Sequence, residues 1–149
     1  MFLSLAAFSL PLIYMKYGVG FQGNLRYFIW GMFAPLLSTA VILMWPIPFV
    51  YQRLIFGPIL EELAKGIAIK KGRHGVASGA GFSATENIAY IAVYPEEYFT
   101  HALRMLFTSP MHMLVTRQTG IGIEEGKPIT GYCFAVALHA GWNLLSLFM

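Results

Sequence analysis

The sequence has no aspartate at all; its seven acids are every one glutamate. Cysteine is nearly absent too, and the single Cys133 excludes a disulfide scaffold. Charge of either sign is scarce: Asp, Glu, Lys and Arg make up 11% of the 149 residues, against about 25% in an average soluble domain. So few charges cannot cover the surface of a soluble chain of this length. Disorder is excluded by the 57% of hydrophobic residues. Ten Lys and Arg give a net charge of +3, but they are scattered between apolar runs, so no nucleic-acid partner is expected. What remains, with a mean hydropathy of +0.62, is the composition of a membrane protein.

About 20 apolar residues in a helix cross a hydrocarbon core of about 30 Å. On that template the chain divides into about six segments: residues 1–15, interrupted by Pro11; 27–45, free of charge; 49–69, with Glu61 and Glu62; 75–94, with Glu86 and Asn87; 103–115, with Arg104 and His112; and 129–149, with His139 and Asn143. The expected fold is an all-α membrane protein, a polytopic bundle of about six transmembrane helices. One transmembrane domain takes up 1–149, and its motif-bearing core is 49–149. Residues 1–15 lack a basic n-region and a small-x-small cleavage pattern, so they read as a span and not as a signal peptide. Loops after the first, third and fifth segments carry Lys16, Arg26, Lys70, Lys71, Arg73, Arg117 and Lys127; the other side has Arg53, Glu96, Glu97 and Arg104. By the positive-inside rule both termini face away from the cytoplasm.

An ionisable group at a helix centre costs about 2.5–3.5 kcal/mol, so such groups face the bundle or a cavity. Glu61 and Lys65 are four residues apart and Glu62 and Lys65 three, so the lysine can neutralise either acid. Pro58 is expected to kink that helix. Gly75, Gly79, Ser83 and Asn87 recur every four residues as a small-residue stripe for close helix contact, and Glu86 stands beside it. His112 and Thr116 share one helix face, as do His139 and Asn143. His74, His101, Glu96, Glu97, Glu124 and Glu125 read as solvated loop residues. At 1.5 Å per residue from the cytoplasmic ends, Glu61, Glu86 and His139 lie at ~14–17 Å and His112 at ~6–8 Å. Three of the four share a level, so the polar residues are expected to form one site.

Carboxylates and imidazoles around a wet cavity suit general acid-base activation of water. Ser109 and Cys133 are the only nucleophile candidates, and both are weak. Glu and His also ligate zinc, and they mark proton relays in transporters, although no internal repeat of the transporter kind is found. Glu61-Glu62-x-x-Lys65, Phe82-x-x-x-Glu86-Asn87-x-x-Tyr90, His112-x-x-x-Thr116 and His139-x-x-Trp142-Asn143 resemble the four motifs of the PrsW family of membrane proteases. That family belongs to a wider group of intramembrane glutamic proteases, which includes the type II CAAX prenyl endopeptidases.

The resemblance implies an endopeptidase of a prokaryotic plasma membrane, acting on membrane-associated protein or peptide substrates without a covalent intermediate. In that scheme Glu61 activates water, assisted by Glu62 with Lys65. Glu86 stands where the prenyl endopeptidases have a histidine and would share a proton with Glu61. His139 and Asn143 would polarise the scissile carbonyl, His112 and Thr116 would complete the site, and Arg104 or Asn87 would orient the acids. No cofactor and no obligatory metal are expected. A zinc protease using the same residues is the alternative, followed by a non-catalytic immunity-like or proton-coupled transport protein.

Overall fold

The structure, a computed structural model, describes residues 2–147, and no strand occurs among them. Met1 and residues 148–149, which the expected first and last spans include, lie outside the described residues. Helix α1 is Phe2–Val19 and α2 is Leu25–Leu43. Next come α3 (Phe49–Tyr51), the π-helical turn π1 (Gln52–Phe56) and α4 (Gly57–Gly66), which follow one another without a break. Helix α5 is Gly72–Val93. A second unbroken run joins α6 (Tyr98–Leu103), the π-helical turn π2 (Arg104–Thr108) and α7 (Ser109–Glu124), and α8 is Pro128–Leu145. Two of these helices, α1 and α2, are long and apolar enough to cross a membrane.

The turns close with specific groups. Asn24 donates its side-chain amide to the carbonyls of Val19 and Gly20 at 3.0 and 3.1 Å, which would otherwise be unpaired at the end of α1. Gly126, at φ +72°, ends α7 in the left-handed conformation that glycine adopts without a Cβ penalty.

Helix α5 is the central member, buried at nearly every position from Gly72 to Ala84. Its small residues let three backbones meet. A Cβ at Gly75 or Gly79 would strike the backbone at Thr116 or His112 on α7, and one at Gly81 would strike the Phe28 carbonyl on α2. Gly31 on α2 meets the Ser78 carbonyl in the same way. The expected stripe is therefore the α5–α7 seam: Ser83 donates to Ser109 Oγ at 2.5 Å and Asn87 to the same oxygen at 3.1 Å. Such close approach through small residues gives packing contacts that lipid chains cannot supply.

The outside is apolar and the inside is partly charged, the reverse of a soluble protein. Phe33, Leu36, Leu43 and Leu114 are exposed, whereas Glu62 and Lys65 are fully buried.

Several expectations need correction. The segment expected at 103–115 runs instead from Tyr98 to Glu124. Its second half loses apolar character because Thr116, Thr119, Gly120 and Gly122 are buried against other helices. The third stretch ends at Gly66, and Pro11 sits inside α1 without ending it. His74 is buried and stacked on Tyr27 with ring centroids 3.8 Å apart. His101 is buried, with Nε2 2.7 Å from the Tyr94 carbonyl. Glu124 is exposed, as expected, but its carboxylate also accepts from the Gly72 N–H at 2.8 Å, capping the start of α5. Glu96 and Glu97 are exposed, as expected.

Candidate active site

Each π-helical turn ends two residues before a proline, and this local chemistry shapes the site. In π1 the Gly57 N–H reaches the Gln52 carbonyl. The next bond of that pattern would join residue 58 to residue 53, but Pro58 has no N–H to give. The Arg53 carbonyl is thus left open, and the Asn143 side-chain amide donates to it at 2.9 Å. On the other run Ser109 N reaches the Arg104 carbonyl, and Pro110 interrupts the pattern in the same way. The sequence predicted a kink at Pro58; the wide turns on two helices are what it missed, and each has a proline as its signal.

Between these turns and the ends of α5 and α8 lies a cavity of about 710 Å³, whose wall includes Glu61, Glu86, Arg104, His112, His139 and Asn143. Four helices, α4, α5, α7 and α8, supply Glu61, Glu86, His112 and His139, which the structure brings together as the depth argument expected. With α7 ending at Glu124, His112 lies ~18 Å from that end instead of ~6–8 Å, close to the ~17 Å of His139 from the start of α8.

Glu62 sits behind the wall. Its carboxylate accepts from Lys65 Nζ at 2.5 Å, from Thr116 Oγ1 at 2.9 Å and from His139 Nδ1 at 2.9 Å. Three donors on one acceptor-only group satisfy a buried ionised carboxylate. Lys65 is further enclosed by the Phe82 ring, 4.0 Å from its centroid. Glu62 is therefore buried away from the cavity that Glu61 faces.

The two imidazoles are held in opposite senses. His139 Nδ1 carries the hydrogen it gives to Glu62, so its Nε2 turns toward Glu61 Oε2, 3.5 Å away. For His112, Lys65 Nζ is 3.2 Å from Nδ1 and can only donate, so Nε2–H is the donor to Glu86 Oε2 at 2.9 Å. The rings meet edge to face with centroids 4.9 Å apart. Glu86 Oε2 also lies 3.1 Å from Arg104 Nη2, and the Arg104 guanidinium rests on the Tyr90 ring, 3.5 Å from its centroid.

Glu61 Oε2 is buried with no hydrogen-bond partner. A carboxylate oxygen and an imidazole lone pair that face each other are two acceptors, so their arrangement fits a proton, a water or a cation between them. Glu61, His112 and His139 each offer a ligand atom, all within 4.8 Å of one another. The donor types suit zinc; His112 would have to release Lys65 or Glu86 to take part. The sequence reading assigned no metal, yet this cluster could hold one.

Of the remaining expected residues, Thr116 and Asn87 are buried and structural, on Glu62 and Ser109 respectively. The Asn143 amide donates to the Arg53 carbonyl, and the residue lines the cavity. Arg104 has a buried Nε without a partner and lines the cavity. Ser109 is buried in the helix seam, and Cys133 is exposed and not part of the cavity wall, so neither is placed as a nucleophile.

Neither the curated proteins nor the solved structures include a match to this chain. A family model described as PrsW family intramembrane metalloprotease matches residues 74–149, a little over half of the sequence. The matched stretch contains Glu86, Arg104, His112 and His139, and it begins after Glu61, Glu62 and Lys65. The chain, with its buried Glu and His cluster and apolar exterior, thus belongs to the PrsW family of intramembrane metalloproteases.

Proposed function

We propose that this chain is a membrane-embedded endopeptidase in which Glu61 activates the attacking water. The observation that carries the reading is the partnerless Glu61 Oε2, facing His139 Nε2 on the wall of the cavity. A water placed between those two acceptors donates one hydrogen to each, which leaves an oxygen lone pair directed at a substrate carbonyl. As the water oxygen bonds to the carbonyl carbon, Glu61 takes its proton. The carbonyl oxygen becomes an oxyanion, for which Arg104 is the available donor, because its Nε has no other partner. When the C–N bond breaks, the proton held by Glu61 passes to the leaving nitrogen. Glu62 keeps His139 in the tautomer this requires, and Lys65 and Glu86 do the same for His112.

All six helical stretches are read as spans, with the site near mid-membrane. The polar groups that lower the hydropathy of the last four are those turned inward. The cavity is bordered by Ile42, Phe49, Tyr94 and Phe99. These lie at the end of the bundle opposite the loops rich in Lys and Arg, so the positive-inside rule opens the cavity away from the cytoplasm. A membrane-anchored protein cut near its non-cytoplasmic boundary is the substrate class that fits.

A second reading is favoured by the donor set and the family description. Glu61, His112 and His139 would hold a zinc-type cation. Such an ion supplies Lewis acidity and lowers the pKa of a bound water. The test is purified protein and Glu61→Gln, assayed on membrane-protein fragments with and without a strong zinc chelator. Loss of cleavage in Glu61→Gln with indifference to chelator supports Glu61 as the base. Loss under chelator with recovery on added zinc supports the second reading, and full cleavage by Glu61→Gln refutes both.

A further inference from the structure

A second cavity, of about 600 Å³, lies at the opposite end of the bundle between α1, the start of α5 and α7. It shares no wall residue with the site described above. Two guanidinium groups stand at it, Arg73 on α5 and Arg117 on α7. Close helix packing brings them together: a Cβ at Gly72 would lie 3.6 Å from Arg117 Cγ, and one at Gly75 would strike the Arg117 backbone. Both arginines are exposed, and neither forms a salt bridge among the described residues. The single acid on the wall, Glu124, is already occupied by the Gly72 N–H.

Polarity is graded along the cavity. Glu124 lies at the end of α7, while Arg73 lies in the first turn of α5 and Arg117 packs level with Gly72 and Gly75 of that turn. Beyond it the wall is Val76, Pro110, Met113 and Leu114, flanked by Tyr14. A head that carries negative charge, joined to an apolar chain running toward the middle of the bundle, matches this order. Basic pockets between transmembrane helices on the cytoplasmic side bind phospholipid heads on the same physical grounds, and this end carries the Lys- and Arg-rich loops.

We propose that this cavity is a binding site for an anionic phospholipid, with the phosphate on Arg73 and Arg117 and an acyl chain along Val76, Met113 and Leu114. The lipid would bridge α5 and α7, the two helices that hold Glu86 and His112, from the side opposite the peptide cavity. The site stands on its own geometry and does not depend on the proposed hydrolysis.

The test uses the whole protein in neutral detergent, titrated with phosphatidylglycerol, phosphatidylcholine of the same chains, or inorganic phosphate. Retained lipid is read by native mass spectrometry and stabilisation by thermal unfolding. Phosphatidylglycerol is expected to bind and raise Tm, while the other two do neither. Arg73→Gln with Arg117→Gln is expected to weaken phosphatidylglycerol binding roughly 25-fold, about fivefold per cation lost near an anionic lipid surface. Arg73→Lys with Arg117→Lys keeps the charge and should retain most of the binding, which separates loss of the site from loss of fold. Unchanged binding in the glutamine pair, equal binding of phosphatidylcholine, or an equal shift with phosphate alone would each overturn the proposal.

Discussion

Helices α1 and α2 and the four helical stretches after them share an apolar exterior, yet they bury opposite things. Inside, α1 presents Ala7, Pro11 and Met15, and α2 presents Tyr27, Phe28, Gly31, Ala34 and Ser38. The later stretches bury Glu62 and Lys65 on α4, Asn87 on α5, His112 and Thr116 on α7 and His139 on α8. Only α1 and α2 are both long and apolar enough to stand out as membrane-crossing, and they contribute nothing to the Glu/His group. Hydropathy therefore picks out the scaffold and passes over the chemistry. The polar groups that disqualify a helix by that measure are the ones the bundle has been built to enclose. The first pair still matters, because Gly31 and Phe28 on α2 lock the outer face of α5, whose other face meets α7 through Gly75 and Gly79.

This contrast orders the expected effects of substitution. Glu61→Gln should lower the cleavage rate by about 10²–10⁴ with little change in unfolding temperature, the range for loss of a positioned general base. A matching drop in stability would mean that Glu61 is scaffold after all. Lys65→Met leaves the Glu62 carboxylate buried beside no cation and should cost about 3–5 kcal/mol. Combining it with Glu62→Leu should restore part of that stability while cleavage stays low, because His139 loses its orienting partner. Gly31→Ala, on the apolar side of the comparison, forces α2 off the Ser78 carbonyl and should cost about 1–3 kcal/mol. Denaturant unfolding in detergent measures both. Phe33→Leu, at an outward position of α2 that is 60% exposed, should move stability by less than about 0.5 kcal/mol and leave cleavage intact.

Much of the site was legible because its logic is periodic. Residues four apart on one helix share a face, so His139 with Asn143 and His112 with Thr116 were correctly turned inward. A depth count placed Glu61, Glu86 and His139 together, and it misjudged His112 only through the end of its helix. Residues 116–124 read as loop because polarity in a buried helix face resembles polarity in solvent until the neighbouring helices are known. The same ambiguity hid the burial of His74, stacked on Tyr27, and the capping role of Glu124. Partner choice was the least legible feature. Nothing local indicates that Asn143 answers a carbonyl freed by Pro58, or that Glu62 and not Glu61 takes the lysine.

The central claim is that Glu61 and His139 act on one water as a unit. Cleavage rates of wild type, Glu61→Gln, His139→Asn and the double variant, measured on one substrate, test it most directly. Groups that work as a unit lose activity once, so the double variant should be no slower than Glu61→Gln beyond a few-fold. Losses that multiply, with the double variant slower by the product of the two single effects, would contradict it.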